Sequence, residues 1–353
     1  MTRTFKRILV ITGDHTRPDP TKRGARYNEE DFATHDAMRA AFESLPGYDF
    51  GFCSDHSQLL DRLRFDPPDL VVNFCDTGFY NVPTQELHLP AFMELFGVPY
   101  TGAPPSAMVL CYDKAIVRLV AQAHGIAVPW EHYVFAEASP DDVPDRFPAL
   151  IKPNAADGSV GITKDAVVQS RAEMRDYLDW LRATLPGRDA LVQEYLPGAE
   201  YGLGLIGNPE TALAALPALE VDYARLPKGL APILSYESKA LPDSPYWTEI
   251  KFKRAGLTQD AESRLAASAQ LLFARLGLRD YARFDFRVGA DGVTKLMEVN
   301  PNPAWANDGK LAFMAGFAGV SYSDMLRRIL EAAVVRLTRA AAHGGPGSEQ
   351  TAG

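Results

Sequence analysis

Residues 281–305 read YARFDFRVGADGVTKLMEVNPNPAW, and this stretch decides how the C-terminal third of the chain folds. Apolar and polar residues alternate along 281–288 and again along 293–300, which is the period of a half-buried β-strand. Between them lies Asp291-Gly292, a dipeptide that favours a two-residue type I′ turn, in which both central residues take positive φ. The stretch therefore predicts an antiparallel β-hairpin.

The turn fixes which residues of the predicted hairpin face one another. Counting back from it gives the pairs Ala290 with Val293, Asp285 with Glu298, and Arg283 with Asn300. Directly opposed side chains in an antiparallel pair have Cβ atoms roughly 4.5–5.5 Å apart, so the polar members of these pairs converge on one face. The other face is predicted to be apolar and carries Phe284, Phe286, Met297 and Val299.

Two carboxylates that close repel one another unless a cation lies between them. Hard divalent cations take oxygen ligands, and magnesium in nucleotide enzymes is usually held by one or two carboxylates and the substrate phosphates. Asp285, Glu298 and Asn300 therefore predict a Mg²⁺ site, with Mn²⁺ as a substitute. The alternative is a solvated hairpin face, which Arg283 on the same face and the run Asn-Pro-Asn-Pro from Asn300 make the weaker interpretation.

Composition limits the class of protein. A chain of 353 residues with 46% hydrophobic and 23% charged residues predicts two or three globular domains. The formal net charge of −9, without a basic run, argues against a nucleic-acid or anionic-membrane partner. Three cysteines without metal-ligand spacing, no signal-peptide pattern and no run of about 18 apolar residues lead us to expect a cytoplasmic protein.

Short buried strands at 7–12 and 69–74, with an amphipathic helix near 31–44, predict a small parallel α/β unit. The polar segment 13–31 after the first strand is long enough to be a functional or mobile loop. Further helices are expected near 112–125, 171–184, 258–276 and 321–338, and strands at 147–153 and 190–195. The expected domains are 1–103, 104–195 and 196–338, followed by a disordered tail at 339–353.

Two stretches suit phosphate and nucleotide chemistry. Lys152 ends an apolar strand, and the glycines of DGSVG at 157–161 let backbone N–H groups approach a phosphate, although a plain hairpin loop is an open alternative. In LVQEYLPGAEYGLGL, 191–205, a strand breaks at a Pro-Gly pair, so its end can present backbone groups to an adenine edge. Glu200 beyond the break suits ribose hydroxyls, or is a solvated linker residue.

Five motifs in order resemble the ATP-grasp ligases over about residues 69–335. They are DK at 113–114, FPALIKP with GSVGI at 147–162, VQEYLPGAEY at 192–201, YESK at 236–239, and RFDF with MEVNPNP at 283–303. FGVPYTG at 96–102 is similar, more narrowly, to the D-alanine–D-alanine ligase branch. The resemblance implies an N-terminal parallel α/β domain, a central lid-bearing domain and a C-terminal antiparallel metal-binding domain.

The resemblance also implies roles for single residues. Lys114 and Lys152 are expected to hold the α- and β-phosphates, and Gly158 and Ser159 to belong to the phosphate lid. The remaining expectations are Gln193, Glu194 and Leu196 for adenine, Glu200 for ribose, Lys239 for the γ-phosphate, and Arg283 for a substrate carboxylate and the transition state. The metal ligands implied are Asp285, Glu298 and Asn300, in agreement with the hairpin register.

The implied activity is an ATP-dependent carboxylate–amine ligation through an acyl phosphate, on amino acids or similar small molecules and not necessarily D-alanine. A homodimer is implied as well. Two alternatives stay open, a catalytically silent ATP-binding sensor module and a ligase for a non-amino-acid carboxylate. The intact set of lysines and carboxylates argues against the silent module.

The substrate side departs from the branch. Asp14-His15-Thr16-Arg17 replaces a Gly-Gly-acidic turn, and CDTGFYNVPTQE at 75–86 replaces a His-Gly stretch. We expect the Asp14 loop and Glu86 to close over the donor substrate. Gly309-Lys310 replaces a Ser-Leu pair, so Lys310 is predicted to bind a carboxylate of the acceptor, unless it is an ordinary surface lysine next to a turn.

Overall fold

The structure is a computed structural model that describes residues 4–139, 142–156 and 158–342. Its first part is a parallel sheet in the order β2-β1-β3. The elements are β1 (Arg7–Ile11), α1 (Glu29–Glu43), β2 (Asp49–Cys53), α2 (His56–Phe65), β3 (Leu70–Asn73) and α3 (His88–Leu95). The sequence analysis misses β2, because that strand carries Asp49 and Gly51 and is only partly buried.

The second part is a four-stranded antiparallel sheet in the order β4-β7-β5-β6. Its elements are α4 (Pro105–Tyr112), α5 (Lys114–Ala123), β4 (Glu131–Val134), β5 (Ala149–Pro153), β6 (Val167–Val168), α6 (Arg171–Thr184) and β7 (Ala190–Glu194). The helix predicted near 112–125 begins only at Lys114, because the Asp113 side chain caps it by accepting a hydrogen bond from the Ile116 N–H.

The third part is an antiparallel sheet in the order β11-β10-β8-β12-β13, with β9 paired to β8. Its elements are β8 (Glu200–Ile206), β9 (Ala214–Ala215), β10 (Leu219–Asp222), α7 (Glu237–Ala240), α8 (Pro245–Thr248), β11 (Lys251–Arg254), α9 (Gln259–Arg275), β12 (Tyr281–Val288), β13 (Thr294–Asn300), α10 (Lys310–Phe317) and α11 (Tyr322–Ala342). Helix α11 therefore enters the expected tail; residues 343–353 lie outside the described ranges.

The hairpin β12–β13 has the predicted register at one end and a different one at the other. Asp285 pairs with Glu298 and Arg283 with Asn300, as predicted, but the register shifts by one residue just beyond Asp285. The predicted Ala290–Val293 pair is wrong. Gly289 pairs with Val293 instead, and Gly292 alone takes positive φ while Asp291 does not, so the loop has three residues and no type I′ turn.

The register shift also corrects the predicted apolar face. Leu296, and not Met297, is buried beside Val299, because the extra residue of the bulge turns Met297 outward. Phe284 and Phe286 pack with these side chains against residues of α9 such as Phe273. The buried face anchors the hairpin, so its polar face is directed to the cleft between the sheets.

Two contacts join the first part to the third beside this hairpin. Trp305 donates a hydrogen bond from its indole N–H to the carbonyl of Phe74 at 2.8 Å, and Asn302 donates to Glu86 at 2.9 Å. The parallel first sheet, the central antiparallel sheet and the C-terminal antiparallel sheet with its hairpin are the architecture that the resemblance implies. In the described ranges, no helix is both long and apolar enough to cross a membrane.

Candidate active site

The polar face of the hairpin brings together the side chains that the sequence predicts there. Arg283 holds Asp285 with two hydrogen bonds, from Nε to Oδ1 at 3.0 Å and from Nη2 to Oδ2 at 3.1 Å. The Asn300 amide nitrogen lies 3.5 Å from Asp285 Oδ2 and 3.4 Å from Glu298 Oε1. The two carboxylates and the amide therefore share one small region.

Lysines from other elements surround the two carboxylates. Lys114 Nζ is 3.9 Å from Glu298 Oε2, and Lys310 Nζ is 3.6 Å from Asp285 Oδ2. Burial raises the pKa of Asp285, but Arg283 and Lys310 outweigh that effect and hold the pKa well below its usual range. For Glu298, burial is likewise outweighed, chiefly by Lys114, and its pKa is lowered. Both groups are therefore ionised at neutral pH.

The donor set fits a hard divalent cation that is held mainly by phosphates. Within the described part of the chain, no group of three or more His, Cys, Asp and Glu side chains could hold a metal by itself. Asp285 and Glu298 supply two carboxylates, and Asn300, whose NH₂ group faces them here, would add its amide oxygen after turning over; together they make the partial oxygen shell that Mg²⁺ takes beside a nucleotide.

Lys152 and Lys114 lie next to this site, on β5 and at the first position of α5. Lys152 is only 5% exposed, and burial lowers its pKa to about 8, with Lys114 adding to the effect. Lys114 donates a hydrogen bond to the carbonyl of Ala156 at 2.6 Å, at the base of the glycine-rich loop. The two buried ammonium groups repel one another, and a bound polyanion would offset that repulsion.

The expected phosphate lid contacts the segment that carries Lys239. Gly158 and Ser159 both take positive φ, and Ser159 Oγ donates to the carbonyl of Leu234 at 2.8 Å, while Asp157 lies outside the described residues. Lys239 lies on α7, with its ammonium near that of Lys310. Loss of hydration and the charge of Lys310 lower its pKa to about 8.

The strand expected to read adenine ends at Glu194. The Glu194 side chain accepts hydrogen bonds from Lys295 at 2.6 Å and from the Trp130 N–H at 3.2 Å, and the Glu194 N–H donates to the Trp130 carbonyl at 2.9 Å. The Leu196 N–H makes no hydrogen bond with any residue that the structure describes. Gln193 is 3% exposed, and its amide nitrogen donates to Glu131 at 2.9 Å.

Glu200, expected at the ribose, is buried at the start of β8. Its Oε2 accepts hydrogen bonds from the Tyr223 hydroxyl at 2.6 Å and from Arg287 at 3.2 Å. Lys310 lies 3.9 Å from the other oxygen. These contacts exclude the solvated-linker alternative for Glu200.

A family model described as the D-ala D-ala ligase C-terminus matches residues 141–331, which is more than half of the chain. The chain belongs to the D-alanine–D-alanine ligase family. The uncharacterized protein y4sG of Sinorhizobium fredii is 31% identical over 84% of this chain and 86% of that protein. A D-alanine–D-alanine ligase of Cupriavidus taiwanensis is 28% identical over 70% of this chain and 72% of the relative.

Solved structures share the fold at lower identity. D-alanyl-alanine synthetase A of Vibrio cholerae superposes with a TM-score of 0.72 at 19% identity, over 95% of this chain and 99% of that one. The ATP complex of D-alanine–D-alanine ligase from Bacillus anthracis gives a TM-score of 0.69, also at 19% identity and with the same coverage. The chain is an ATP-grasp ligase that forms amide bonds at the expense of ATP. Its family uses ATP and a divalent metal.

Asp14 of this ligase does not face the cleft. The residue is 0% exposed, and its carboxylate accepts hydrogen bonds from the Thr16 N–H at 2.8 Å and the Thr16 hydroxyl at 2.6 Å. Asn81 anchors the same turn by donating to the Asp14 carbonyl at 2.7 Å. In this arrangement Asp14 shapes the loop and cannot reach a substrate, which corrects the expectation that it closes over the donor.

Glu86 does lie at the boundary between the first part and the loop after β13, where it accepts the hydrogen bond from Asn302. Gly309 is the N-cap residue of α10, and Lys310 is its first residue. The Lys310 side chain is 14% exposed and points to Asp285 and Glu200. The alternative that Lys310 is an ordinary surface lysine is therefore wrong.

The sequence analysis misses a pair of histidines at the carboxyl end of β1. His15 and His35 have their Nε2 atoms 3.0 Å apart, and Tyr27 and Trp305 pack against them with ring centroids 4.6 Å and 5.0 Å away. A cavity of about 240 Å³ lies beside the pair. Burial and His15 lower the pKa of His35 to about 3. No local pattern joins residues that far apart, so only the fold reveals them.

Proposed function

We propose that this ligase activates a substrate carboxylate as an acyl phosphate and transfers the acyl group to an amine, with release of ADP and phosphate. The substrates are amino acids or small amino-acid-like molecules, and D-alanine is not required. The observation that carries the proposal is the convergence of Asp285, Glu298 and Asn300 under the cations Arg283, Lys114 and Lys310. Such an arrangement suits a metal-bound polyphosphate and a reacting carboxylate.

The cations are assigned to successive parts of the nucleotide. Lys114 and Lys152 bind the α- and β-phosphates, and Lys239 approaches the γ-phosphate, where its charge offsets that of the transferring group. Gly158 and Ser159 close the lid over the phosphates. Asp285, Glu298 and Asn300 would hold Mg²⁺, for which Mn²⁺ can substitute, and the ion would supply positive charge that reduces the repulsion between the phosphates and the attacking carboxylate.

Arg283 serves the reacting carboxylate and the oxyanions that develop on it. Its two hydrogen bonds to Asp285 fix the guanidinium plane, which supports this role because orientation is settled before the substrate arrives. On the base side, the unused Leu196 N–H suits an adenine ring nitrogen, and Gln193 lies one strand position before Glu194. Glu200 remains the proposed ribose residue, through the oxygen that faces Lys310.

The two substrates occupy the first-part side of the cleft. Glu86 and the loop that Asp14 shapes border the donor, and Lys310 binds a carboxylate of the acceptor. The support for Lys310 is its position at the first turn of α10, with its ammonium 3.6 Å from a proposed metal ligand. A homodimer is part of the proposal, and sedimentation velocity checks it.

The test is phosphate release by the purified full-length protein with Mg²⁺ and ATP across pairs of amino acids and short peptides. We expect ADP, phosphate and an amide product in equal amounts for at least one pair. Hydroxylamine added in place of the amine should trap the acyl phosphate as a hydroxamate. A protein that neither releases phosphate nor binds ATP would overturn the proposal.

A ligase for a non-amino-acid carboxylate is the second candidate. The buried Asp14 favours it, because this position offers no exposed carboxylate to a donor ammonium group. Hydroxamate formation with carboxylic acids that lack an amino group, and not with amino acids, would select this candidate. ATP binding without hydroxamate from any acid would count against the acyl-phosphate step for both candidates.

A further inference from the structure

Three side chains form a hydrogen-bonded chain beside the proposed adenine site, and we call them the amide relay: Arg118, Glu131 and Gln193. Glu131 on β4 pairs directly with Gln193 on β7 in the strand register. Glu131 Oε2 accepts from the Gln193 amide nitrogen at 2.9 Å, and Oε1 accepts from Arg118 Nε at 3.1 Å. The side chain of Glu131 is 3% exposed, so both of its oxygens are used inside the protein.

The relay fixes which end of the Gln193 amide faces away from Glu131. An isolated glutamine can present either its carbonyl oxygen or its NH₂ group, since the two ends have nearly the same shape. A carboxylate accepts hydrogen bonds only, so the NH₂ group must face Glu131 and Gln193 Oε1 must face the other way. Arg118 supplies the positive partner that a buried carboxylate requires.

The oxygen that the relay turns outward has no partner. Gln193 is 3% exposed, yet Oε1 accepts no hydrogen bond from any residue in the described ranges. Oε1 is nevertheless not fully sealed from solvent. A buried side chain therefore presents one fixed acceptor, three residues before the unused N–H of Leu196.

We infer that the amide relay selects the purine base by its 6-substituent, and this inference rests on the proposed function. Adenine offers a 6-amino donor beside an N1 acceptor, which matches the Gln193 oxygen beside the Leu196 N–H. A 6-oxo purine offers an acceptor and a donor in the same two places and so opposes both groups. The Gln193 oxygen and the Leu196 N–H would then be left without partners, which lowers the affinity for a 6-oxo purine. Without Glu131, Gln193 could turn over and accommodate the 6-oxo group.

The experiment compares Mg²⁺-ATP with Mg²⁺-ITP, the 6-oxo analogue, by calorimetric titration of the full-length protein. We expect the wild type to bind ATP at least about tenfold more tightly, the equivalent of one hydrogen bond or more. Glu131→Gln should reduce that ratio to near one or invert it. Arg118 would donate to the carbonyl oxygen of the introduced glutamine, and the NH₂ group of that glutamine would donate to Gln193 Oε1. Gln193 would then present its own NH₂ group to the base. Tyr133→Phe on the same strand is the control and should keep the wild-type ratio.

A reciprocal variant separates orientation from damage to the sheet. Adding Gln193→Glu to Glu131→Gln restores a donor–acceptor pair with a fixed oxygen facing the base, so the preference for ATP should return. Equal wild-type affinity for ATP and ITP would overturn the inference while leaving the proposed function standing, as would an unchanged ratio in Glu131→Gln. A wild type that binds neither nucleotide would overturn both.

Discussion

The two walls of the cleft are built on opposite principles. On the wall proposed to bind the nucleotide, called the nucleotide wall below, five cationic side chains surround two carboxylates, and their charges are only partly paired with one another. The cations are Lys114, Lys152, Lys239, Arg283 and Lys310, around Asp285 and Glu298. On the first-part wall, polar groups satisfy one another, as Asp14 and Asn81 do in the loop after β1. The excess positive charge of the nucleotide wall favours a polyanion. Among its described residues, the first-part wall has no such excess, so it would select a ligand by its shape.

This difference explains why one wall matches its family and the other does not. The phosphates of ATP are the same in every reaction of this kind, so the cations have one arrangement to satisfy. On the first-part wall, His15 and His35 instead line a cavity of about 240 Å³, and Trp305 packs against His35. Neutral rings select a substrate by fit and hydrogen bonding, which small changes in the loop can alter.

The largest effect should come from breaking the metal set on the nucleotide wall. Glu298→Gln keeps the side-chain size and leaves the buried face with Phe284 and Val299 untouched, so the protein should fold. We expect turnover to fall by a factor on the order of 10² to 10³, as for other lost transition-state contacts. Phosphate release at saturating Mg²⁺ measures the loss.

Asp291→Asn, at the turn end of the same hairpin, is the matched control, because Asp291 is half exposed and lies on the far side of the register shift. It should retain nearly all wild-type turnover. A Glu298→Gln protein with wild-type rates would show that the metal is bound elsewhere.

The second effect concerns binding before chemistry. Lys152→Ala removes a buried ammonium from the proposed phosphate site, and we expect ATP affinity to fall roughly tenfold to a hundredfold, the usual range for a hydrogen bond to a charged group. Calorimetric titration without amine substrate measures it. Lys251→Ala, on an exposed position of β11, should bind ATP as the wild type does. Equal affinity in both variants would remove Lys152 from the site.

The fold of the nucleotide wall could be predicted because its information is local. Alternation along 281–288 and 293–300 predicts the two strands, but the three-residue loop alone would pair Asp285 with Met297, and the bulge just beyond Asp285 restores the predicted pair with Glu298. The bulge that moves Met297 off the apolar face could not be predicted, since it depends on how the hairpin packs against α9. The extra loop residue and the bulge offset one another, so the predicted pairs of Asp285 with Glu298 and of Arg283 with Asn300 are kept.

The first-part wall could not be predicted for the opposite reason. His15 and His35 meet only because the loop after β1 follows a path set by Asn81, 67 positions from Asp14 in the sequence. Burial also decides the role of Asp14, whose acidic character suggests a ligand but whose carboxylate is enclosed. The sequence alone shows that Lys310 departs from the branch. It does not show that Lys310 lies close to Asp285.

A smaller effect should distinguish substrate binding from metal binding at the junction of the two walls. Lys310→Ala should raise the KM of the acceptor several-fold and leave that of ATP nearly unchanged, because the contact is proposed to exist in both the ground and transition states. Steady-state kinetics with each substrate varied in turn gives both values. Lys228→Ala, an exposed lysine, is the control.

Equal increases in both KM values would mean that Lys310 serves Asp285 and the nucleotide, as its 3.6 Å distance allows. No change in either value would leave the acceptor without this contact.

The smallest effect belongs to the first-part wall and appears only as pH falls. Burial and His15 lower the pKa of His35 to about 3, below the ordinary value of about 6.5 that the unfolded chain has. The unfolded state therefore takes up the proton first, so the neutral ring costs no stability above about pH 6.5 and an increasing amount as the pH falls toward 3.

Between pH 7 and 5, the wild type should lose about 1 kcal/mol more unfolding free energy than His35→Gln, after allowance for partial solvent screening. Urea unfolding at both pH values measures the difference, with His88→Gln, an exposed histidine at the start of α3, expected to follow the wild type. Parallel pH profiles of the wild type and His35→Gln would mean that the pair admits a proton freely, and that the ring-lined wall is more open to water than the closed packing of His35 against Trp305 implies.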